Sequence, residues 1–262
     1  MLKRLLPAVL SLALLAVPQP AAAIDYTDIW YLPSESGWGV NLIQAEDVIF
    51  VTFFIYGPNN QPTWYAAIIY RDSNGNFAGN LYSAVGPYFG GPWNPASYAA
   101  TLAGTASFFP SSAYQGTLIY SLAGGPTVTK TIQRQTLKTI LLGGSYTGGQ
   151  AGAYSGCSNS GSNSSYKDNF DVQVAHFDNG TATFQFAYTS GLSCTMSGTL
   201  TQYGQLYTVP GASYACSDGL NTTADMSEIK ATAQGIEGRF AASSVGGGCQ
   251  EDAAFSGVFL PQ

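Results

Sequence analysis

Histidine occurs once in these 262 residues, methionine three times, and charged residues make up only 9% of the chain. Each scarcity excludes something. The lone imidazole, His176, cannot build the His-rich sites that hold zinc or copper, and no C-x-x-C pair offers a thiolate alternative. No G-x-S-x-G elbow, no G-x-G-x-x-G opening a helix and no P-loop occurs, so the sequence gives no support to those hydrolase or nucleotide sites. Asp72-Ser73-Asn74-Gly75-Asn76 starts like a calcium loop, but the position that should close it with a carboxylate is Ser83. A hairpin turn is the reading there. No metal, no cofactor and no catalytic set is expected.

Positive charge is scarce too. Nine Lys and Arg face fifteen Asp and Glu, a formal charge of −6. A chain of that sign lacks the basic footprint that supplies nucleic-acid affinity, and it is repelled by anionic lipid.

What is present begins with a secretion address. Lys3 and Arg4 precede an apolar run from Leu5 to Val17, and Pro18, Pro20 and Ala21-Ala22-Ala23 supply the breakers and small residues of a cleavage site. Residues 1–23 therefore read as a signal peptide. The run is too short for a bilayer span, which needs roughly 20 apolar residues, and no later stretch approaches one. The four cysteines, Cys157, Cys194, Cys216 and Cys249, are an even set behind that signal and read as two disulfides in an oxidising compartment. Three pairings are open; equal loop lengths favour Cys157–Cys194 with Cys216–Cys249. Localisation in the periplasm or the medium follows.

The remaining 24–262 reads as strand after strand. Val48 to Tyr56 is rich in β-branched and aromatic residues and ends at Gly57-Pro58-Asn59-Asn60. Thr63 to Tyr70, Phe77 to Val85, Tyr98 to Phe109, Gln115 to Leu122 and Thr127 to Gln135 follow, joined by Gly, Asn and Pro turns. After Gly143-Gly144 the pattern resumes, with a hairpin at Asp178-Asn179-Gly180 whose second arm places Phe184, Phe186 and Tyr188 on one face. Ala224 to Lys230 is the one segment that reads as a helical turn. Consecutive hairpins without long crossovers favour meanders that close on themselves. The expected fold is all-β, two tandem small antiparallel up-and-down β-barrels, an aromatic-rich domain over 24–136 and a disulfide-containing one over 137–262. One larger β-sandwich is the alternative.

Candidate binding residues gather in the first half. Trp30, Glu35, Trp38, Trp64, Tyr65, Tyr82 and Trp93 join an aromatic set to the turn Ser34-Glu35-Ser36-Gly37-Trp38-Gly39. Tryptophan at a barrel mouth can pack an apolar or sugar-like ligand while its indole N–H binds a polar atom; it can equally plug the interior. Glu35 is expected to accept backbone N–H bonds and hold its turn. Glu35 with Glu46 or Asp47, and Glu251 with Asp252, are the carboxylate pairs a glycoside hydrolase would need.

Trp30-Tyr31-Leu32-Pro33-Ser34-Glu35-Ser36-Gly37-Trp38-Gly39, with Pro62-Thr63-Trp64-Tyr65 and Gly79-Asn80-Leu81-Tyr82 downstream, resembles a β module of uncharacterised exported proteins of Gram-negative bacteria. The resemblance spans 26–135 and implies export without implying an activity. A looser likeness to avidin-type and lipocalin-type barrels rests on the strand meander. Together these features suggest an exported, non-enzymatic module that binds a small apolar or glycan-like ligand or an envelope partner. A structural role in envelope assembly and a secreted hydrolase are the alternatives.

Overall fold

A computed structural model describes residues 24–261, and the signal-peptide reading of 1–23 lies outside the described residues. The first eight strands are β1 (Asp28–Tyr31), β2 (Gly39–Ala45), β3 (Val48–Tyr56), β4 (Pro62–Arg71), β5 (Phe77–Val85), β6 (Ala99–Pro110), β7 (Gln115–Leu122) and β8 (Thr127–Arg134). Each pairs antiparallel with the next, and β8 returns to β1 through Trp30 opposite Arg134 and Tyr31 opposite Gln133. The ring is closed. Trp30-Tyr31, the start of the Trp30 to Gly39 stretch, thus lies in the strand that closes the ring.

The interior of this barrel is filled. Alternate residues such as Val40, Leu42, Ile49, Val51, Phe53, Ile69, Phe77 and Phe108 point inward and are excluded from solvent. Trp30 stands among them, fully buried, its Nε1 donating to the Tyr26 carbonyl at 2.9 Å and its ring edge-on to Phe108 at 5.3 Å. Side chains of this kind contribute about 1.5–3 kcal/mol each when fully buried. Gly104 lets the strands coil this tightly, because a Cβ there would collide with the Ser121 carbonyl oxygen of the neighbouring strand.

The second sheet contains β9 (Gly144–Ser155), β10 (Ser164–His176), β11 (Thr181–Tyr188), β12 (Ser193–Thr199), β13 (Thr201–Tyr203), β14 (Leu206–Cys216), β15 (Asn221–Ala231), β16 (Gly235–Val245) and β17 (Cys249–Leu260). β17 pairs with β9, and β12 pairs with β14, so this sheet also returns on itself; β13 continues β12 along β14. Phe184, Phe186 and Tyr188 point inward together, as their alternation requires. Two readings are corrected. Ala224–Lys230 lies within β15, because Ala224, Met226 and Ile229 are all buried and a register shift between Ser227 and Lys230 absorbs the break in alternation. The disulfides are Cys157–Cys249 and Cys194–Cys216. Cys194 and Cys216 face each other across the β12–β14 seam, and Cys157 leaves β9 beside the start of β17, so strand pairing decides the partners and loop length does not.

An up-and-down ring sends alternate loops to opposite ends. In the first barrel, segments 32–38, 57–61, 86–98 and 123–126 share the outer end, while 46–47, 72–76 and 111–114 share the end that meets the second barrel. There Tyr114 Oη accepts from Glu228 N at 2.7 Å, and Asp28 Oδ2 accepts from Gln205 N at 3.2 Å. In the second barrel both disulfides lie at the far end, away from this junction.

Candidate binding surfaces

Segment 32–38 is built as a clasp. Glu35 N donates to the Leu32 carbonyl at 2.9 Å, Gly37 adopts φ +107°, and Tyr56 Oη on β3 donates to the Gly37 carbonyl at 3.0 Å. Glu35 holds the turn differently from the sequence expectation. Its carboxylate accepts from Lys130 Nζ at 2.6 and 2.8 Å and from Trp38 Nε1 at 3.2 Å; its partners are side chains from β8 and its own loop. The Lys130 hydrogen bond holds the Glu35 carboxyl below the usual glutamate range. Lys130 Nζ also lies 5.9 Å from the Trp38 ring centroid. Beneath the clasp, Phe53, Leu118 and Tyr120 floor a cleft of about 190 Å³. That is smaller than the roughly 300 Å³ at which small-molecule sites begin.

The expected site residues separate into four places. Trp30 belongs to the core, with its N–H already satisfied, and is corrected from a ligand contact to an interior plug. Glu35 and Trp38 share the clasp. Tyr65 and Trp64 are neighbours in β4 and therefore face opposite sides: Tyr65 packs on the interior, whereas Trp64 is half exposed on the outer wall. Tyr82 is also on that wall, and Trp93 is exposed in segment 86–98.

The outer wall carries a feature the sequence reading did not isolate. Phe54 stands opposite Trp64, Phe50 opposite Ile43 and Ile68, Ala66 opposite Tyr82, and Tyr82 opposite Leu102. All of these large side chains are exposed. Strands β2 to β6 thus present a continuous aromatic and aliphatic face, while β7 and β8 present mainly Ser, Thr and Gln. The sequence does contain the signal. Val-Ile-Phe-Val-Thr-Phe-Phe-Ile-Tyr in β3 is apolar on both faces, although only one face can be the core. Above this wall, segment 86–98 holds Phe89 fully exposed and Trp93 at 68% exposure.

His176 is accounted for at the junction end of the second barrel. Its Nδ1 accepts from Leu142 N at 3.4 Å and its ring meets Tyr207 edge-on. The carboxylate pairs are split: Glu35 and the Glu46-Asp47 turn occupy opposite ends of the first barrel, and on β17 Glu251 is buried while Asp252 is exposed. A groove of about 670 Å³ follows the junction and mixes the charges of Lys167, Lys230, Arg239, Asp168, Glu228 and Glu237.

No protein-family model matches this chain, and no curated protein does. Among solved structures, a point mutant of the vaccine antigen Transferrin Binding Protein B from Haemophilus parasuis Hp5 is similar at 12% identity, covering 86% of this chain and 61% of that one, with a TM-score of 0.35. Intact Ap-TbpB (N and C lobes) gives 12% identity, 84% and 61% coverage and a TM-score of 0.33. A DUF3598-family protein of unknown function from Nostoc punctiforme gives 11% identity, 89% and 96% coverage and a TM-score of 0.29. The chain therefore spans about three fifths of the Transferrin Binding Protein B structures it resembles.

Proposed function

We propose that this protein is an exported, non-enzymatic binding module that engages an envelope partner, protein or glycan, on the outside of its first barrel. The observation that carries this reading is the uncharged outer wall of β2 to β6, where Phe54, Trp64, Tyr82 and Leu102 adjoin across four strands. Contiguous apolar faces on soluble proteins mark interaction sites, and aromatic side chains are the usual anchors of such sites. The filled interior moves recognition from a cavity to this wall and to the aromatic segment 86–98 above it. The two disulfides support an oxidising compartment.

Intrinsic tryptophan fluorescence against a panel of neutral glycans, lipids and cell-wall fragments tests the reading. Trp64 and Trp93 are exposed and should respond, whereas Trp30 is sealed and should not. Trp64→Ser should weaken the binding that the remaining Trp93 signal reports, while unfolding stability is retained. A response that survives Trp64→Ser and Phe54→Ser together would overturn the placement on this wall. The envelope-assembly reading places a second copy on the same wall, and light scattering would then show dimers that the two substitutions dissociate.

A further inference from the structure

The second barrel contains a buried carboxylate without a cationic partner. Glu251 is 2% exposed, and the only ion pairs among the described residues are Lys130–Glu35 and Arg134–Asp28. Its neighbours are phenols. Tyr166 Oη donates to Oε1, and Tyr214 Oη lies 3.3 Å from Oε2. Gln150 extends the network, its Nε2 donating to Tyr166 Oη at 2.7 Å and its Oε1 accepting from Tyr188 Oη at 2.7 Å. Tyr154 stacks on Tyr166 with ring centroids 5.1 Å apart. Gly152 makes room for this arrangement, since a Cβ there would lie 2.6 Å from the Tyr166 ring.

The first barrel is filled mostly with apolar side chains, and its buried carboxylate, Asp28, is paired with Arg134. Burying a carboxylate costs several kcal/mol unless something compensates it. Neutral phenols compensate in part, and burial pushes the Glu251 carboxyl above its usual range. The same burial, with the nearby carboxylate, raises the Tyr154 hydroxyl to about 12 and moves Tyr166, Tyr188 and Tyr214 upward. The tyrosines therefore stay neutral; Tyr154 stacks one face on Tyr166 and is the tyrosine of this cluster that borders the end of the barrel.

The cluster also opens outward. At the disulfide end, a depression of about 590 Å³ reaches Glu251 and Tyr154 and is rimmed by Asp218 and the Gly246–Gly248 turn. No Lys or Arg lines it, so every formal charge at this opening is negative.

We propose that this end of the second barrel binds an organic ammonium ion, with its charge set against Glu251 and Asp218 and its carbon groups against the Tyr154 ring and the apolar rim of Leu220 and Val245. Three features select that chemistry. A carboxylate has about four lone-pair sites and two are taken by phenols, so acceptor capacity remains. Aromatic faces attract cations, most strongly where water is excluded. A hard metal ion such as calcium asks for six to eight oxygen ligands, and among the described residues no group of three or more metal-ligating side chains occurs. This site is independent of the outer wall of the first barrel.

Titration of the two-barrel chain with tetramethylammonium, butylammonium, uncharged 1-butanol and calcium chloride tests the proposal, read by calorimetry and by the NMR signals of the tyrosine rings. Both ammonium probes should bind at neutral pH and 1-butanol at least about tenfold more weakly. Glu251→Gln should reduce ammonium affinity by at least about tenfold. Asp218→Asn, at the rim and outside the buried network, should weaken it more modestly. Affinity should fall as the medium is acidified through the raised Glu251 range; Tyr154, Tyr166, Tyr188, Tyr214, Asp218 and Asp252 are the other titratable groups around it. No ammonium binding, equal binding of 1-butanol, unchanged affinity in both variants, or preferential binding of calcium would each overturn it.

Discussion

Arg134 Nη1 donates to Asp28 Oδ2 at 3.2 Å, and both side chains are buried. The pair joins β8 to β1 at the closure of the first barrel, and the same Asp28 oxygen accepts from Gln205 of the second. Arg134 also donates to the carbonyls of Ala113, Thr27 and Asp25, and its guanidinium stacks 5.1 Å from the Trp30 ring centroid. One side chain thus serves ring closure, core packing and barrel joining.

Replacing Arg134 by Met should therefore destabilise the protein by about 3–5 kcal/mol, because it strands a buried carboxylate and three carbonyls. Urea unfolding measures this. Arg134→Met combined with Asp28→Asn should recover part of the loss, since no unpaired charge then remains.

The Glu35 carboxyl is held low by Lys130, so its contribution to the clasp is present above the unfolded-state value and disappears as pH falls through the folded one. Trp38 fluorescence should change in that acid window. Lys130→Met should move the midpoint up toward an ordinary glutamate, and added salt should do so partially, because the pair is exposed. A midpoint insensitive to Lys130 would separate Trp38 from this pair.

For Glu251 the sign is opposite. Its folded-state value is raised, so between the unfolded and folded values the native protein binds more protons, and stability falls as pH rises through that window. Glu228 is raised by burial too and adds the same slope. Glu251→Gln should flatten the stability–pH curve and leave only the Glu228 part. An unchanged slope in the variant would place the effect elsewhere.

No free thiol should be found in denatured, unreduced protein, and proteolytic fragments should join Cys157 to Cys249 and Cys194 to Cys216. The bridges close loops of 92 and 22 residues. On the loop-entropy account these contribute about 4–5 and about 3 kcal/mol respectively, so Cys157→Ser/Cys249→Ser should cost more than Cys194→Ser/Cys216→Ser. Denaturant midpoints of the two double variants decide the order.

The meander was legible in the sequence because turn residues and two-residue alternation are local signals, and Asp72-Ser73-Asn74-Gly75-Asn76 and Asp178-Asn179-Gly180 both form tight turns. Which face an aromatic residue takes is also local in principle: adjacent Trp64 and Tyr65 must diverge. What alternation does not reveal is which face is the inside when both are apolar, as in β3. Trp30 and Trp38, eight positions apart, went to core and clasp because β1 closes the ring at Trp30 and the chain turns away before Trp38. Glu251 was hidden for another reason. Its neighbours come from β9, β10, β11 and β14, and nothing in the stretch Gln250-Glu251-Asp252 announces them. The disulfide partners depended likewise on the seams between non-adjacent strands.

The nesting of one bridge inside the other bears on how the chain matures. A polypeptide that meets an oxidant from its N-terminal end forward exposes Cys157 and Cys194 to each other before Cys216 or Cys249 has arrived. The first bridge within reach is then a wrong one. Native connectivity requires either that the second barrel close before its thiols are oxidised, or that a disulfide isomerase undo the early link, so the maturation of this half is tied to the redox machinery of the compartment it enters.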